Sequence, residues 1–340
     1  MKDLQYINIS KFSIQNGKTV DIQLSYQTFG QPLGDAPIVL VNHALTGNST
    51  ICGNEGWWND LIGENKCIDT NFYTVLAFNI PGNGFDNKEE NLIKNYKDFT
   101  ARTIAEIFSE GLKELNINEL FAVIGGSVGG GIAWELAALQ PDLIDHLIPI
   151  ATDWKSTDWL IANCHIQDAI LNNSCKPLED ARMHAMTLYR SPESLTSKFK
   201  RTTKTNSLFN VESWLNYHGD ALNTRFNLSA YKLMNQILRT IDITRDRHSF
   251  NEVVSKIKSN IHIVTINSDL FFKAEENWET YVDLKLIKEN VCIYEIKSLH
   301  GHDAFLIEFA QLSKFLTPIF EGRKDNKYFE LDCYKKRITA

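Results

Sequence analysis

Short apolar runs separated by longer amphipathic stretches are the main pattern along this chain. Six runs are almost wholly apolar and four to six residues long, at 37–41, 73–78, 120–124, 147–150, 261–266 and 291–296. Such runs are typical of parallel strands that are covered on both faces. Helices are predicted between or after several of them, over 99–116, over 128–140 up to Pro141, and over 302–317 up to Pro318. The alternation predicts the α/β class with a mostly parallel central sheet.

Two regions depart from this pattern. Near the start, residues 6–10 and 21–29 alternate polar and apolar positions on either side of Asn16-Gly17, which predicts two antiparallel strands with one exposed face. Strand signals then disappear between residues 156 and 254, where Trp and His residues lie among helical stretches. The sequence therefore predicts a core formed by 1–155 and 255–340, interrupted by an all-helical cap subdomain over 156–254.

A glycine-rich motif carries the strongest chemical signal. The segment Gly125-Gly126-Ser127-Val128-Gly129 has the form G-x-S-x-G, follows an apolar run and opens a predicted helix. This context is that of a nucleophilic serine on a sharp strand-to-helix turn, as in α/β-hydrolases. A nucleotide-binding turn fits less well, because the motif has no lysine and lies in the middle of the chain. We therefore expect Ser127 to be a nucleophile, with the Val128 N–H as one oxyanion donor.

A nucleophilic serine needs a base, and the base needs an acid that orients it. His302 follows the last apolar run, and Asp269 follows the run before it. These positions match the chain order Ser, acid, His of α/β-hydrolases, so we expect Ser127, Asp269 and His302 to form a triad. His300, two residues away, is the competing base. The N–H of Leu45, in the loop after the first apolar run, is the expected second oxyanion donor.

Composition narrows the class of protein without identifying it. Of 340 residues, 43% are hydrophobic and 23% are charged, as in an ordinary globular protein. The net charge of −7, from 35 basic and 42 acidic residues, argues against nucleic-acid binding, which needs a basic face. No secretory leader is visible and no apolar run approaches the ~18 residues of a membrane span, so no membrane partner is expected. Six scattered cysteines without a CxxC pair predict free thiols and a cytoplasmic location, and we expect no metal site.

Motifs spread from about residue 20 to 315 together resemble the homoserine O-acetyltransferase family. They are His43-Ala44-Leu45-Thr46-Gly47, Gly56-Trp57-Trp58, Ile62-Gly63, Ile68-Asp69-Thr70, Gly125-Gly126-Ser127-Val128-Gly129-Gly130 and Gly301-His302-Asp303-Ala304-Phe305-Leu306. The resemblance implies an α/β-hydrolase-fold enzyme that moves an acetyl group from acetyl-CoA to the hydroxyl of L-homoserine by a ping-pong route, in methionine biosynthesis. It implies acetyl-CoA as a co-substrate with no permanently bound cofactor, and a homodimer joined through the cap.

The resemblance also implies roles for single residues. Ser127 would carry the acetyl group, with His302 as base and Asp269 as its orienting acid, and Asp303 would bind the amino group of homoserine. In the cap, Ala181-Arg182-Met183 and Leu188-Tyr189-Arg190-Ser191 resemble the family's Ala-Arg and Tyr-Arg-Ser segment. Arg182 would then bind the substrate carboxylate, a task that suits a forked guanidinium, and Tyr189 would line the same pocket.

Two segments depart from the family pattern. The family usually has Gly-Gly-Cys followed by Gly-Ser-Thr-Gly-Pro after the fourth strand, whereas this chain has Pro81-Gly82-Asn83-Gly84-Phe85-Asp86, closer to the P-G-x-G turn of ordinary hydrolases. The Asp-Pro-x-Trp segment usual before the arginine helix is missing, so the cap is shorter. An esterase or thioesterase with the same triad therefore stays an alternative, as does transfer with succinyl-CoA as donor or serine as acceptor.

Overall fold

An eight-stranded sheet forms the centre of this computed structural model, which describes residues 4–14 and 17–321. The strands in chain order are β1 (Gln5–Ser13), β2 (Thr19–Gly30), β3 (Ile38–Asn42), β4 (Ile62–Gly63), β5 (Ile68–Asp69), β6 (Thr74–Phe78), β7 (Leu120–Gly126), β8 (Ile144–Ile150), β9 (Thr203–Thr205), β10 (Leu208–Phe209), β11 (Asn260–Ile266) and β12 (Val291–Ile296). The order across the sheet is β1-β2-β6-β3-β7-β8-β11-β12. All neighbours from β6 to β12 run parallel, whereas β1 pairs antiparallel with β2, and β2 with β6.

Helices cover both faces of the sheet and also form most of the segment between β8 and β11. In chain order the helices are α1 (Ala101–Glu114), α2 (Val128–Leu139), α3 (Asp158–Asn173), α4 (Pro177–Tyr189), α5 (Pro192–Phe199), α6 (Asn210–Arg225), α7 (Leu228–Arg239), α8 (Phe250–Lys256), α9 (Ala274–Lys285) and α10 (309–321). Short 3-10 turns lie at Glu89–Asn91, Tyr96–Asp98 and Gly301–Leu306. The predicted α/β class with a mostly parallel sheet is confirmed. Each of the six apolar runs forms one parallel strand. Strands β3, β6 and β7 are almost wholly buried, as expected of parallel strands that are covered on both faces, whereas β12 lies at the edge of the sheet and is partly exposed.

The last predicted helix is wrong in its bounds. Residues 301–306 form a 3-10 turn instead of the start of an α-helix, and α10 passes through Pro318 to residue 321. Proline removes one backbone hydrogen bond from a helix, but Pro318 is on the exposed side. The opposite face of α10 is fully buried through Leu312, Leu316 and Phe320. Burial of that apolar face holds the helix together beyond the proline.

The segment between β8 and β11 is mostly helical, with α3 to α8 in succession. The prediction that it is all-helical is wrong at one place, because β9 and β10 form a small antiparallel hairpin. Thr203 and Thr205 supply β-branched side chains that favour extended backbone, and all three residues of β9 are exposed. A hairpin this short has no periodic apolar pattern to reveal it. The bounds of a separate cap at 156 and 254 stay a prediction.

A buried ion pair ties this inserted segment to the sheet. Arg102 of α1 donates from Nε to the Glu135 carboxylate of α2 at 2.8 Å, and its other nitrogens donate to the carbonyls of Asp242 and Arg245. The backbone N–H of Asp242 donates to Glu135 in return, at 3.1 Å. Burial raises the pKa of Glu135, and the adjacent Arg102 opposes that shift. Both charges therefore have partners where the chain returns from α7 toward the core.

The described residues bear on two expectations about the chain, the absence of a membrane span and the free cysteines. No helix in the described residues is both long and apolar enough to cross a bilayer. The five cysteines that the structure describes are free thiols, and Cys333 lies outside the described residues, as does Asn16 of the predicted turn.

Candidate active site

Ser127 lies at the sharp turn between β7 and α2. Its backbone adopts φ 57° and ψ −128°, a region that L-residues with a side chain rarely occupy. The Ser127 N–H donates to the carbonyl of Ile150 on the neighbouring strand, at 2.9 Å. Close packing also requires glycine after the turn, because a Cβ at Gly129 would lie 2.4 Å from the carbonyl oxygen of Asn42. The turn is thus held in a strained conformation by its surroundings, as expected for a nucleophilic serine.

Asp269 and His302 form a buried pair. The Nδ1 of His302 lies 2.7 Å from the Oδ2 of Asp269, and the two side chains are 4% and 0% exposed. The other carboxylate oxygen of Asp269 accepts the backbone N–H groups of Phe271 and Phe272, at 2.7 and 3.0 Å. The carboxylate is therefore fully oriented, and it fixes the imidazole with a proton on Nδ1. This tautomer leaves Nε2 without a hydrogen, as a general base requires.

Four aromatic rings surround the His302 imidazole. Their centroids lie 5.1 to 5.9 Å from that of His302, and they belong to Tyr189, Phe271, Phe272 and Phe305. Phe305 also packs over the residue before the serine, since a Cβ at Gly126 would lie 2.5 Å from its ring. One ring thus contacts both the histidine and the serine turn, which brings two of the three predicted triad elements to the same place.

The loop after β3 approaches the start of α2 from the other side. His43 is buried, and its Nε2 accepts the backbone N–H of Ile80 at 3.0 Å while Nδ1 donates to the carbonyl of Ala44 at 2.8 Å. Burial lowers the pKa of His43 to about 4, so this ring is neutral at pH 7. Because both ring nitrogens are hydrogen-bonded to backbone groups, His43 fixes the backbone next to Leu45. Val128 is the first residue of α2, where backbone N–H groups have no partner inside the helix.

The helical segment between β8 and β11, called the cap from here on, supplies charged and aromatic residues next to His302. Tyr189 packs on His302, and the guanidinium carbon of Arg182 lies 5.5 Å from the centre of the Tyr189 ring. Asp303, which follows His302, lies 3.8 Å from the guanidinium of Arg190. Burial raises the pKa of the Asp303 carboxyl, and nearby Asp269 adds to this shift, whereas His302 and the two arginines oppose it. The structure brings the predicted residues Arg182, Tyr189 and Asp303 together around His302.

The competing base is in a different environment. The Nδ1 of His300 accepts from the guanidinium of Arg190 at 2.9 Å, and Ser194 Oγ lies 3.3 Å from the same nitrogen. The acid that orients a base is instead paired with His302. This geometry favours His302 over His300.

Sequence reasoning missed several residues of the site. Arg190 lies in the Tyr-Arg-Ser motif, in which the sequence assigns no separate role to the arginine. Arg225 lies in no recognised motif, yet it donates to the carbonyl of Thr46 beside Leu45, at 3.2 Å. The aromatic pair Phe271-Phe272 was also missed, although its position two and three residues after Asp269 is that of a turn whose N–H groups donate to the carboxylate. Among the described residues, no group of three or more His, Cys, Asp and Glu side chains is arranged to hold a metal ion.

Comparison with known proteins gives the fold and the family. A family model described as α/β hydrolase fold matches residues 37–285. A homoserine O-acetyltransferase of Methanococcus vannielii is 34% identical over 343 aligned positions, which cover 89% of this chain and 70% of the relative. The homoserine O-acetyltransferase of Carboxydothermus hydrogenoformans is 27% identical, with 89% and 91% covered.

Solved structures agree on the fold. The homoserine O-acetyltransferase of Bacillus anthracis superposes with a TM-score of 0.85 at 20% identity, covering 94% of this chain and 98% of that one. An acetylester hydrolase from Corynebacterium glutamicum gives a TM-score of 0.79 at 18% identity, with 94% and 96% covered. At these identities the likeness shows the fold, which transferases and hydrolases share.

We predict that Gly301→Ala displaces the loop that carries His302. Gly301 has φ +69°, and a Cβ there would lie 2.8 Å from the backbone N of Ser191 and the carbonyl oxygen of Tyr189. Because backbone cannot move aside as a side chain can, we expect a lower Tm and at least a roughly tenfold slower labelling of Ser127 by a serine-reactive phosphonate.

The matched control is Gly53→Ala. Gly53 has a similar φ of +79°, but a Cβ there has no neighbour within 4 Å. It carries the conformational cost of about 1 kcal/mol alone, so labelling should keep the wild-type rate. Equal labelling rates for the two variants would contradict the prediction.

Proposed function

The chain belongs to the homoserine O-acetyltransferase family of α/β-hydrolase-fold proteins, and on this premise we propose that it transfers an acetyl group from acetyl-CoA to the hydroxyl of L-homoserine. Acyl transfer to homoserine is what the family relationship supports. The acetyl-CoA donor, the ping-pong route and the place of the reaction in methionine biosynthesis are the finer parts of the proposal.

One observation carries the proposal: opposite charges flank the base. Asp303 is next to His302 in the chain, and Arg182 lies against the Tyr189 ring that packs on the same imidazole. An amino acid acceptor carries an ammonium and a carboxylate, which match Asp303 and Arg182 respectively. Simple ester hydrolysis uses water and needs no such pair.

In the proposed first half-reaction, the Oγ of Ser127 attacks the thioester carbonyl while its proton moves to Nε2 of His302. Asp269 accepts a hydrogen bond from Nδ1 and stabilises the imidazolium that forms. The N–H groups of Leu45 and Val128 donate to the oxyanion. The C–S bond then breaks, the CoA sulfur takes the proton from His302, and the acetyl group stays on Ser127.

In the second half-reaction, the homoserine hydroxyl gives its proton to His302 and attacks the acetyl carbonyl. The bond to Ser127 breaks, and Oγ takes the proton back from His302. Water competes with homoserine for this ester, so its exclusion matters. The four rings around His302 and its exposure of only 3% support a dry environment for this step.

We expect free CoA release from acetyl-CoA to be strongly stimulated by L-homoserine, with O-acetylhomoserine as the product. Ser127→Ala removes the nucleophile and should lower kcat by more than about 10⁴-fold. Thiol release and product mass measured in the same samples test both statements. Release that L-homoserine does not change, with no O-acetylhomoserine, would identify a thioesterase instead. Succinyl-CoA and L-serine, run as parallel arms, decide the donor and the acceptor.

An anionic donor is supported by the charges of the cap. Burial lowers the pKa of His218 on α6, and the cations Arg182, Lys198 and Arg190 lower it further. Burial likewise lowers the pKa of Arg225, which contacts the loop after β3, and nearby Arg182 lowers it further. The cations therefore crowd one side of the cap near the predicted oxyanion loop. Such a local excess of positive charge suits the phosphates of CoA, in spite of the acidic balance of the whole chain.

We predict that Lys198→Glu raises the KM for acetyl-CoA by about 3- to 10-fold through lost attraction to phosphate. The KM for the S-acetyl thioester of N-acetylcysteamine, which has no phosphate, should stay unchanged. Lys113→Glu on α1, where the lysine pairs with exposed Glu110, is the control and should affect neither donor. An equal rise for both donors in Lys198→Glu would refute the electrostatic explanation.

We also propose that the protein is a homodimer joined through the cap. Helix α3 exposes Trp159 and Ile166, at 48% and 46%, one on each side of Ala162 on the same helical face. An exposed apolar stripe with this seven-residue spacing suits a helix from a second copy.

We expect a mass in solution of twice the chain mass of 38.8 kDa by light scattering. Ile166→Asp places a charge in the proposed interface and should give the single-chain mass. Leu286→Asp, at an 82% exposed position on the loop after α9, should leave the dimer intact. A wild-type protein at the single-chain mass would contradict the proposal.

A further inference from the structure

The end of helix α4 is in direct contact with the loop that carries His302. The hydroxyl of Ser191 donates to the carbonyl of Leu299 at 2.5 Å, and Gly301 packs against the backbone from Tyr189 to Ser191. We refer to residues 189–194 as the cap junction. The same set of contacts therefore positions both the cap and the core loop that carries the proposed catalytic base, His302.

Arg190 is the charged member of the cap junction. Its guanidinium donates to Ser194 Oγ at 3.0 Å and to His300 Nδ1 at 2.9 Å, so it is anchored on both sides. The third contact is to Asp303, with 3.8 Å from Nη1 to Oδ2 and side chains only 14% and 22% exposed. At this distance the two side chains form an ion pair, but they are too far apart for a hydrogen bond.

The long contact leaves Asp303 free to accept hydrogen bonds. In the part of the chain that the structure describes, no hydrogen bond occupies either oxygen of its carboxylate, although Arg190 faces it. Asp303 is thus held near a positive charge without being saturated by it. A ligand ammonium can add its own hydrogen bonds while the guanidinium stays in place.

The two arginines of this region differ in a way that suggests different tasks. Arg182 contacts the face of the Tyr189 ring, and within the described residues no carboxylate lies within 4 Å of its guanidinium. Arg190 is instead fixed by Ser194, His300 and Asp303. Arg182 is therefore available to a ligand, whereas Arg190 is engaged with the protein.

We propose that Arg190 is a positioning residue for the acceptor step, holding the Asp303 carboxylate charged and oriented toward the ammonium group of the amino acid acceptor. This inference rests on the proposed function, because it needs homoserine as the acceptor. It assigns no contact between Arg190 and the reacting atoms. The acylation of Ser127, which uses no ammonium group, is independent of it.

The charges around Asp303 are consistent with this role. Burial and the neighbouring Asp269 raise the pKa of the Asp303 carboxyl, and His302, Arg182 and Arg190 oppose the rise. The buried phenol of Tyr189 faces the same group, and its pKa lies well above the usual value, so it stays neutral. Removal of the Arg190 charge therefore raises the pKa of Asp303 further. A larger fraction of Asp303 is then protonated and unable to bind an ammonium strongly.

The test compares two acceptors that differ only in the ammonium group, L-homoserine and 4-hydroxybutanoate. In Arg190→Gln we expect the KM for L-homoserine to rise about tenfold or more, with the transfer to 4-hydroxybutanoate unchanged. The acid limb of kcat/KM for L-homoserine should move to higher pH. At saturating acetyl-CoA, where weaker attraction of the donor phosphates no longer affects the rate, the burst of CoA released without an acceptor should keep its wild-type rate, which also shows that the site is folded. Arg190→Lys, which keeps the charge, should recover part of the lost affinity.

Each other outcome is decisive. If both acceptors lose activity in parallel with the acylation burst, Arg190 only supports the fold of the loop and the proposal is overturned. The same holds if the KM for L-homoserine does not change. If the wild-type protein shows a burst but no transfer to L-homoserine, the proposed function itself fails, and this inference fails with it.

Discussion

The left-handed backbone at Ser127 is the constraint on which the rest of the site depends. A residue with a side chain in such a conformation costs of order 1–3 kcal/mol, so it persists only where neighbouring structure enforces it. Here the enforcement comes from the hydrogen bond to Ile150 on β8 and from the contact of Gly129 with the backbone of Asn42 on β3. Three adjacent strands thus define one turn. The same contact brings the first N–H of α2 beside the loop that contains Leu45.

The second half of the site depends on the cap as much as on the core. Asp269 orients His302 through a hydrogen bond to Nδ1, and the backbone N–H of Phe271 in turn fixes the Asp269 carboxylate. The ring of Tyr189 packs on the His302 imidazole from the cap. The loop around His302 has glycine at the point where it touches the cap junction. The cap therefore helps to position the His302 imidazole, because a shift of the cap junction would move the loop that carries it. Changes in the cap are therefore expected to alter both acceptor choice and reaction rate.

Prediction from sequence succeeded where local pattern and burial point the same way. The strand β7 and the turn at Ser127 were readable because an apolar run and a glycine-rich motif adjoin each other. It failed at Pro318, where a local helix stop is outweighed by the burial of Leu312, Leu316 and Phe320. It also failed at the hairpin β9–β10, which has no core face and hence no periodicity. His300 and His302 are two residues apart in the chain, and only the contact with Asp269 identifies His302 as the better candidate for the base.

The sequence by itself determined the fold class, the serine turn, and the chain order of acid and histidine, because these depend on periodicity and on motifs within a few residues. It also carried the family resemblance. Only the tertiary structure decided that Arg190 is bound to protein groups whereas Arg182 is available to a ligand. It also decided that His302, and not His300, pairs with Asp269. Those facts depend on contacts between segments far apart in the chain, such as the 3.8 Å between Arg190 and Asp303. No local pattern encodes such a distance, since packing of the whole cap against the core sets it.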